Sequence, residues 1–281
     1  MKRAFMQLDV FASGPLSGNP LAVVVDANGL VDAQMAAFAR WTNLSETTFL
    51  LAPTDPRADY RVRIFTPAEE LPFAGHPTLG SCHAWLAAGG VPRDDTHGVV
   101  RQQCGIGLVP VRRDGAGRLA FESPPLRRSG PLAEADVQRF AALLRAPRAD
   151  IVSHQWVDNG PHWAALLLRT ADAVLALEPD FGSERRIELG VVGPHPPGHD
   201  AAFEVRAFFP AANGIAEDPV TGSLNAGLAQ WLIGAGLAPS QYVASQGTRL
   251  QRRGRVHLRR DGDAVWVGGA VTTVSDGAVT L

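Results

Sequence analysis

The sequence predicts an α+β protein of two pseudo-symmetric halves, each a curved, barrel-like β-sheet wrapped around a central helix. Three observations lead there. The first is an internal repeat: RIFTPAEELPFAGHPTLGS at 63–81 and RAFFPAANGIAEDPVTGS at 206–223. Arg63, Phe65, Pro67 and Ala68 run in step with Arg206, Phe208, Pro210 and Ala211, and after a one-residue slip Pro77, Gly80 and Ser81 match Pro219, Gly222 and Ser223. The copies stand roughly half a chain apart, which reads as two versions of one α/β unit. The second observation is that the helix after each shared proline has no charged face. One carries Leu79, Cys82 and Leu86 among Gly80, Ser81, Ala84 and Ala87; the other carries Leu224, Leu228, Trp231 and Leu232 among Gly222, Ala226, Gly227 and Ala229. A helix that is apolar or small all round is a buried helix, so strands have to wrap it. The third is composition: 29 Gly and 21 Pro in 281 residues fit many short strands and tight turns.

The elements follow in order. Residues 4–11 and 21–25 read as strands around a Gly/Pro turn, and 26–29 as a second turn. Asp32 can cap a helix running to about Trp41, with Met35, Phe38 and Trp41 forming one apolar stripe. Segments 44–51 and 60–66 read as strands, and 77–88 as a helix ended by Gly89 and Gly90. The Pro-rich stretch at 121–131 marks the domain boundary. Beyond it come a helix at 134–144, strands at 151–157 and 163–169, and a Gly/Pro-rich loop at 190–198. A strand at 204–209, a helix at 219–233 and strands at 256–260 and 266–274 complete the chain. The expected domains are 1–122 and 123–268, with 269–281 free to pack back on the first.

A formal net charge of −2 gives no footprint for nucleic acid or an anionic membrane. The one basic run, 249–260, reads as an exposed turn and strand edge. The apolar N-terminal stretch is broken by Gln7 and Asp9, which argues against a signal peptide, and no apolar run reaches the ~18 residues of a membrane span. Cys82 and Cys104 make neither a disulfide framework nor a metal cluster. The expectation is a cytoplasmic protein.

Three titratable residues stand out. In His76-Pro77 and Asp218-Pro219, proline falls at the first helical position, where its missing N–H costs nothing, and places His76 and Asp218 at the N-caps. Asp is a strong cap and His is not. Asp218 is therefore a cap or a site residue, and His76 a structural loop histidine or an acid–base group. Two helix N-termini at a domain cleft would suit a carboxylate substrate and favour neutral imidazole. On the 44–51 strand, Glu46 shares a face with Leu44, Thr48 and Leu50. It lies at an exposed edge, or it is buried and its pKa is raised toward general acid–base use. Gly18-Asn19-Pro20 reads as a turn, as does Asn159-Gly160-Pro161-His162, with His162 a weaker candidate. No Walker loop, GxGxxG or zinc spacing is present, and Ser45-Glu46 and Thr221-Gly222-Ser223 lack the flanks of a serine hydrolase elbow.

The segments SGNPLAVV, NLSETTFLL, RIFTPAEELPFAGHPTLGS and AEDPVTGS, in this order, resemble the phenazine-biosynthesis isomerase family (PhzF-like proteins) of the diaminopimelate-epimerase superfamily. The resemblance runs from about Asp9 to about Gly254. It implies the same two-halved fold with the active site in the cleft. It places the family's catalytic glutamate on Glu46, its cleft histidine on His76 and its cleft aspartate on Asp218. It assigns substrate-carboxylate binding to the backbone around Gly75, Gly222 and Ser223, and makes Asn19 of the SGNP segment a substrate-binding candidate. The superfamily's epimerases use a cysteine in each half, at positions falling here on Gly75 and Asp218, which argues against two-thiol racemisation. The implied activity is a cofactor-independent, metal-free proton transfer on a small carboxylate-bearing molecule, similar to the isomerisation of trans-2,3-dihydro-3-hydroxyanthranilate, in a homodimer. One departure is Gln251-Arg252-Arg253, where family members often read Gly-Arg-Pro. The alternative is a non-catalytic small-molecule or protein-binding module on the same scaffold.

Overall fold

A computed structural model describes residues 1–93, 98–211 and 214–281. The chain divides into two compact units, one of Met1–Glu122 with Gly268–Leu281 and one of Ser123–Val267. The first contains β1 (Lys2–Val10), β2 (Asn19–Val24), α1 (Asp32–Thr42), β3 (Thr47–Leu51), β4 (Tyr60–Phe65), β5 (Glu70–Leu71), α2 (Gly75–Ala87), β6 (Val99–Cys104), β7 (Gly107–Arg113), β8 (Leu119–Glu122) and, from the far end of the sequence, β17 (Val271–Thr280). The second contains α3 (Glu134–Leu144), β9 (Ile151–Trp156), β10 (Ala164–Leu168), α4 (Ala171–Leu175), β11 (Leu189–Pro194), β12 (Phe203–Ala211), β13 (Gly214–Asp218), α5 (Gly222–Gly234), β14 (Gln241–Gln246) and β15 (Gly254–Asp261); β16 (Ala264–Gly269) spans its last residues.

Strand pairing shows the duplication directly. In the first unit β1–β2 is antiparallel, β2–β3 parallel and β3–β4 antiparallel; β4 then pairs antiparallel with β5 and parallel with β6, and β6–β7 is antiparallel. In the second unit β9 to β15 repeat this series without exception. β17 pairs antiparallel along β1, with an irregularity at Gln7/Leu8. The unit-one sheet curves around α2, which touches β1, β2, β3, β4, β6, β7, β8 and β17. Both helices are buried through most of their length, as their lack of a charged face requires.

The Arg-x-Phe repeat has a structural role in each copy. Arg63 on β4 grips Glu70 on β5 with two N–H groups, and Arg206 on β12 grips Glu217 on β13 in the same way. Each guanidinium lies 5.1 Å from the centre of the phenylalanine ring two residues on, Phe65 or Phe208. The second pair is more deeply set, and Arg206 also donates to the carbonyls of Val174 and Leu177 at the end of α4. Arg63 instead reaches Asp32 in the first turn of α1.

Several elements depart from the sequence reading. The 190–198 stretch is not a loop throughout: it begins inside β11. The two glycines within the strand are there for contact, since a Cβ at Gly190 would lie 2.4 Å from Leu224, and one at Gly193 would lie 2.3 Å from the Thr170 carbonyl oxygen. Val31, not Asp32, is the cap residue of α1, and its N–H donates to the Gln34 side chain. Trp41 leaves the apolar stripe: it is 79% exposed and stacks on Phe38. The helix starts also differ. α2 begins at Gly75, so His76 and Pro77 lie inside its first turn, where an N–H is expendable. α5 begins only at Gly222, leaving Asp218 at the end of β13 and Pro219 ahead of the helix. Neither His76 nor Asp218 is an N-cap; Ala74 and Thr221 are. The pairings Ile64↔Leu71 and Ala207↔Asp218 make Leu71, not His76, the counterpart of Asp218.

Among the described residues no helix is long and apolar enough to cross a membrane. Close backbone approach to α5 makes one glycine a test of the packing. A Cβ at Gly227 would lie 2.4 Å from the Val157 carbonyl oxygen, whereas one at Gly277 meets nothing within 4 Å. Gly227→Ala is expected to destabilise the protein by roughly 1–3 kcal/mol in chemical denaturation, with Gly277→Ala near neutral as the control.

Candidate active site

In the first unit two segments converge. α1 ends at Thr42, with Asn43 in the left-handed region at φ 54°, and the chain reaches β3 within a few residues. A hydrogen bond of 2.8 Å between the Thr42 and Thr47 hydroxyls closes this connection. Glu46 sits on it, immediately before β3 rather than within a strand, with its side chain 15% exposed. Its Oε2 is 3.3 Å from Nε2 of His76. β3 is fastened to α2 by the Ser81 hydroxyl, which donates to Thr48 Oγ1 at 2.9 Å. On the other side of the His76 ring, Nδ1 is 3.4 Å from Nδ2 of Asn19, a fully buried residue at the start of β2. Burial pushes the His76 imidazole down to about 3, so the ring is neutral at physiological pH. The α2 N-terminus, formed by Gly75 and His76, adds its positive end to the same disfavour of imidazolium.

In the second unit Asp218 is buried, and its Oδ2 accepts the Thr221 hydroxyl at 2.6 Å. Gln246, the last residue of β14, organises the rest. Its Oε1 accepts the Thr221 N–H at 3.0 Å and the Asn225 amide at 2.8 Å; its Nε2 donates to the Asp218 carbonyl at 3.1 Å and the Thr221 hydroxyl at 2.9 Å. Gly222, buried at the start of α5, follows this knot directly. The Ser223 hydroxyl accepts the Trp163 indole N–H at 3.0 Å, and its carbonyl accepts the Asn159 amide at 2.9 Å. His162 stands apart as an exposed turn residue with φ 61° that leans on Asp158. Cys82 and Cys104 are thiols, not thiolates: burial pushes Cys82 up to about 12 and raises Cys104 as well.

Glu46 and His76 are thus brought together, with Asn19 behind the ring and Gly75 beside it. Sequence reasoning missed Gln246, Asn225 and Asp9, whose carboxylate accepts the N–H groups of Ser17 and Gly18 just ahead of Asn19. The available signal was a polar residue set among apolar neighbours in a strand, as Asp9 is between Leu8 and Val10.

A carboxylate beside a neutral imidazole, with no nearby thiolate, is equipment for moving protons, and it stands on a duplicated fold. The family model "phenazine biosynthesis-like protein" matches residues 8–277. Antisense-enhancing sequence 1 of Schizosaccharomyces pombe is 34% identical, with 98% of each chain covered. Trans-2,3-dihydro-3-hydroxyanthranilate isomerase of Pseudomonas fluorescens is 33% identical over 99% of each. Among solved structures, that of a predicted epimerase from Pseudomonas aeruginosa superposes with a TM-score of 0.77 at 29% identity, covering 99% of both chains. The fold is diaminopimelate-epimerase-like, and these relatives define an isomerase. Within that class, the chain belongs to the phenazine biosynthesis-like (PhzF) family.

Two measurements check the two groups. His76 is neutral in the folded chain down to about pH 3, whereas in the unfolded chain it titrates near 6.5. Between those values the unfolded state binds the extra proton, so this residue's contribution to stability falls as pH falls through that window and is flat above it. Denaturation midpoints should therefore drop on acidification more steeply for the native sequence than for His76→Gln. Gln246→Leu leaves the Thr221 N–H without its buried acceptor and takes one of two acceptors from the Asn225 amide, which keeps the Thr221 carbonyl, and should cost roughly 2–4 kcal/mol in urea unfolding.

Proposed function

We propose that this isomerase moves a proton between carbon atoms of a small, carboxylate-bearing substrate without a cofactor. The observation that carries the reading is the Glu46 carboxylate 3.3 Å from a buried, neutral His76 at the start of a helix. An ionised Glu46 takes the proton from an activated C–H of the substrate, and the electron pair left behind shifts the double bonds. The same carboxyl group returns the proton to another carbon, so no proton is gained or lost. Neutral His76 serves as a hydrogen-bonding partner that adds no full charge to the exchange. The family pattern supports assigning Asp218 with them as an orienting group for the substrate's polar substituents. Backbone N–H groups near Gly75, Gly222 and Ser223 suit the substrate carboxylate, since helix N-termini attract anions. Relatives named for trans-2,3-dihydro-3-hydroxyanthranilate support a cyclic amino acid of that kind as the substrate. The resemblance carries with it a cytoplasmic homodimer.

The test is solvent-deuterium incorporation followed by NMR. Its panel comprises trans-2,3-dihydro-3-hydroxyanthranilate, related cyclic enamino acids and common α-amino acids. Deuterium should enter a ring carbon with the native enzyme, and Glu46→Gln should slow this by about a hundred-fold or more, the scale of a lost general acid–base group. Exchange at an amino-acid α-carbon instead would turn the assignment to epimerisation. Saturable binding with no exchange, unaltered by the substitution, would overturn the catalytic reading.

A further inference from the structure

We propose that Asp9 is a positioning residue: through the Ser17–Gly18–Asn19 turn it fixes which nitrogen of the His76 ring carries the proton. Both the ring tautomer and its effect on catalysis rest on the ionised Glu46 beside His76 of the reading given above.

Asp9 lies on β1 between Leu8 and Val10, both fully buried, and is itself 1% exposed. A carboxylate in such a place is tolerated only when hydrogen bonds replace its water. Its Oδ2 accepts the Ser17 N–H at 2.6 Å, and both its oxygens accept the Gly18 N–H, at 3.0 and 3.1 Å. The bonds are made to backbone, so what Asp9 holds is a chain conformation. Gly18 is needed there because a Cβ would sit 2.1 Å from the Val10 carbonyl oxygen. Ser17 ties the preceding residues, its hydroxyl accepting the N–H groups of Ser13 and Gly14 and donating to the Gly14 carbonyl. The next residue after this clamped pair is Asn19, which enters β2 opposite Val10.

From there the hydrogen-bond arithmetic runs to His76. A neutral imidazole has one N–H and one bare nitrogen. Nε2 faces the Glu46 carboxylate at 3.3 Å, and an ionised carboxylate there calls for the N–H on that side. Nδ1 is then the bare nitrogen and calls for a donor, which the Asn19 amide NH2, 3.4 Å away, supplies. With the Asn19 carbonyl turned to the ring, the proton would move to Nδ1 and the Nε2 lone pair would oppose the carboxylate. Asp9 enters because it sets the backbone from which Asn19 reaches the ring and so keeps the amide within reach of Nδ1, where its NH2 end answers the lone pair that Glu46 leaves there.

Ring nitrogens of the full-length protein labelled with ¹⁵N-histidine report the tautomer directly, through long-range ¹H–¹⁵N correlations. The native protein should show His76 protonated at Nε2, with Nδ1 bare. Asp9→Asn keeps the shape but removes the charge and puts an NH2 group in place of one accepting oxygen, against the Gly18 N–H in one amide orientation and against both the Ser17 and Gly18 donors in the other. It should give a mixture of tautomers, and it should lower the deuterium-exchange kcat on trans-2,3-dihydro-3-hydroxyanthranilate by about a hundred-fold with little change in KM, the scale of a misplaced catalytic group. Asp9→Glu, which keeps the charge and adds one methylene, reads the same ring if Asp9→Asn does not fold. A native ring protonated at Nδ1 overturns the proposal without any variant. So does a folded Asp9 variant whose His76 keeps the native tautomer. A variant that shifts the tautomer in a protein inactive on that substrate leaves the positioning role standing and sinks the substrate assignment instead.

Discussion

The structure depends on one constraint: two helices without a polar face have to be kept from water. A flat sheet covers one side of a helix, and α2 and α5 need cover on all sides, so the strands curve and close backbone approach becomes compulsory. Gly80, where a Cβ would meet Leu21 at 2.4 Å, and Gly227 against Val157 follow from that demand. So does the chemistry at the helix starts. The first turn of any helix has N–H groups without intrahelical partners, and inside a sheet there is little solvent to take them. In α5 the chain answers with side chains, as the Gln246 carbonyl takes the Thr221 N–H. In α2 it answers partly by deletion, since Pro77 has no N–H to satisfy.

Duplication supplied the frame, and the two copies diverge at matching points. The strand pairings and the Arg–Glu–Phe contacts are the same in both units. Where Leu71 stands in one unit, Asp218 stands in the other. Where α2 opens with Gly75-His76, α5 opens with Gly222-Ser223. The imidazole is packed against Asn19 and Glu46; the serine is held by Trp163 and Asn159. The repeated elements conserve what holds the backbone, and the residues at the helix openings are what differ.

Much of this was legible before any coordinates. The repeat announced two copies and the uncharged helices announced curvature; the family motifs singled out Glu46, His76 and Asp218, and of these the structure brings Glu46 and His76 to 3.3 Å. What was not legible has physical causes. The shared Pro and Gly-Ser letters suggested that His76 matches Asp218, but helix starts are set by packing against strands. A proline is tolerated both within a first turn and ahead of one, so it did not mark the start. The glycines of β11 looked like loop residues because the side chains pressing on them, Leu224 among them, are distant in sequence. Trp41 fitted an apolar period yet faces solvent, since one stripe on α1 fills its side of the core with Met35 and Phe38. Gln246 lies on β14, and its four hydrogen bonds run to residues that no local pattern connects with it.

The pairing of β17 with β1 bears on how the chain is made. Residues 271–280 are translated after the whole of the second unit, yet they complete the unit whose other strands come before it. During synthesis the outer side of β1 waits, with its backbone groups unpaired, while the whole contiguous second unit emerges and can assemble. The usual order, in which the N-terminal domain is finished before the next leaves the ribosome, is inverted here. For that interval the nascent protein displays an open strand edge of the kind that recruits neighbouring chains, and its exposure ends only when β17 arrives.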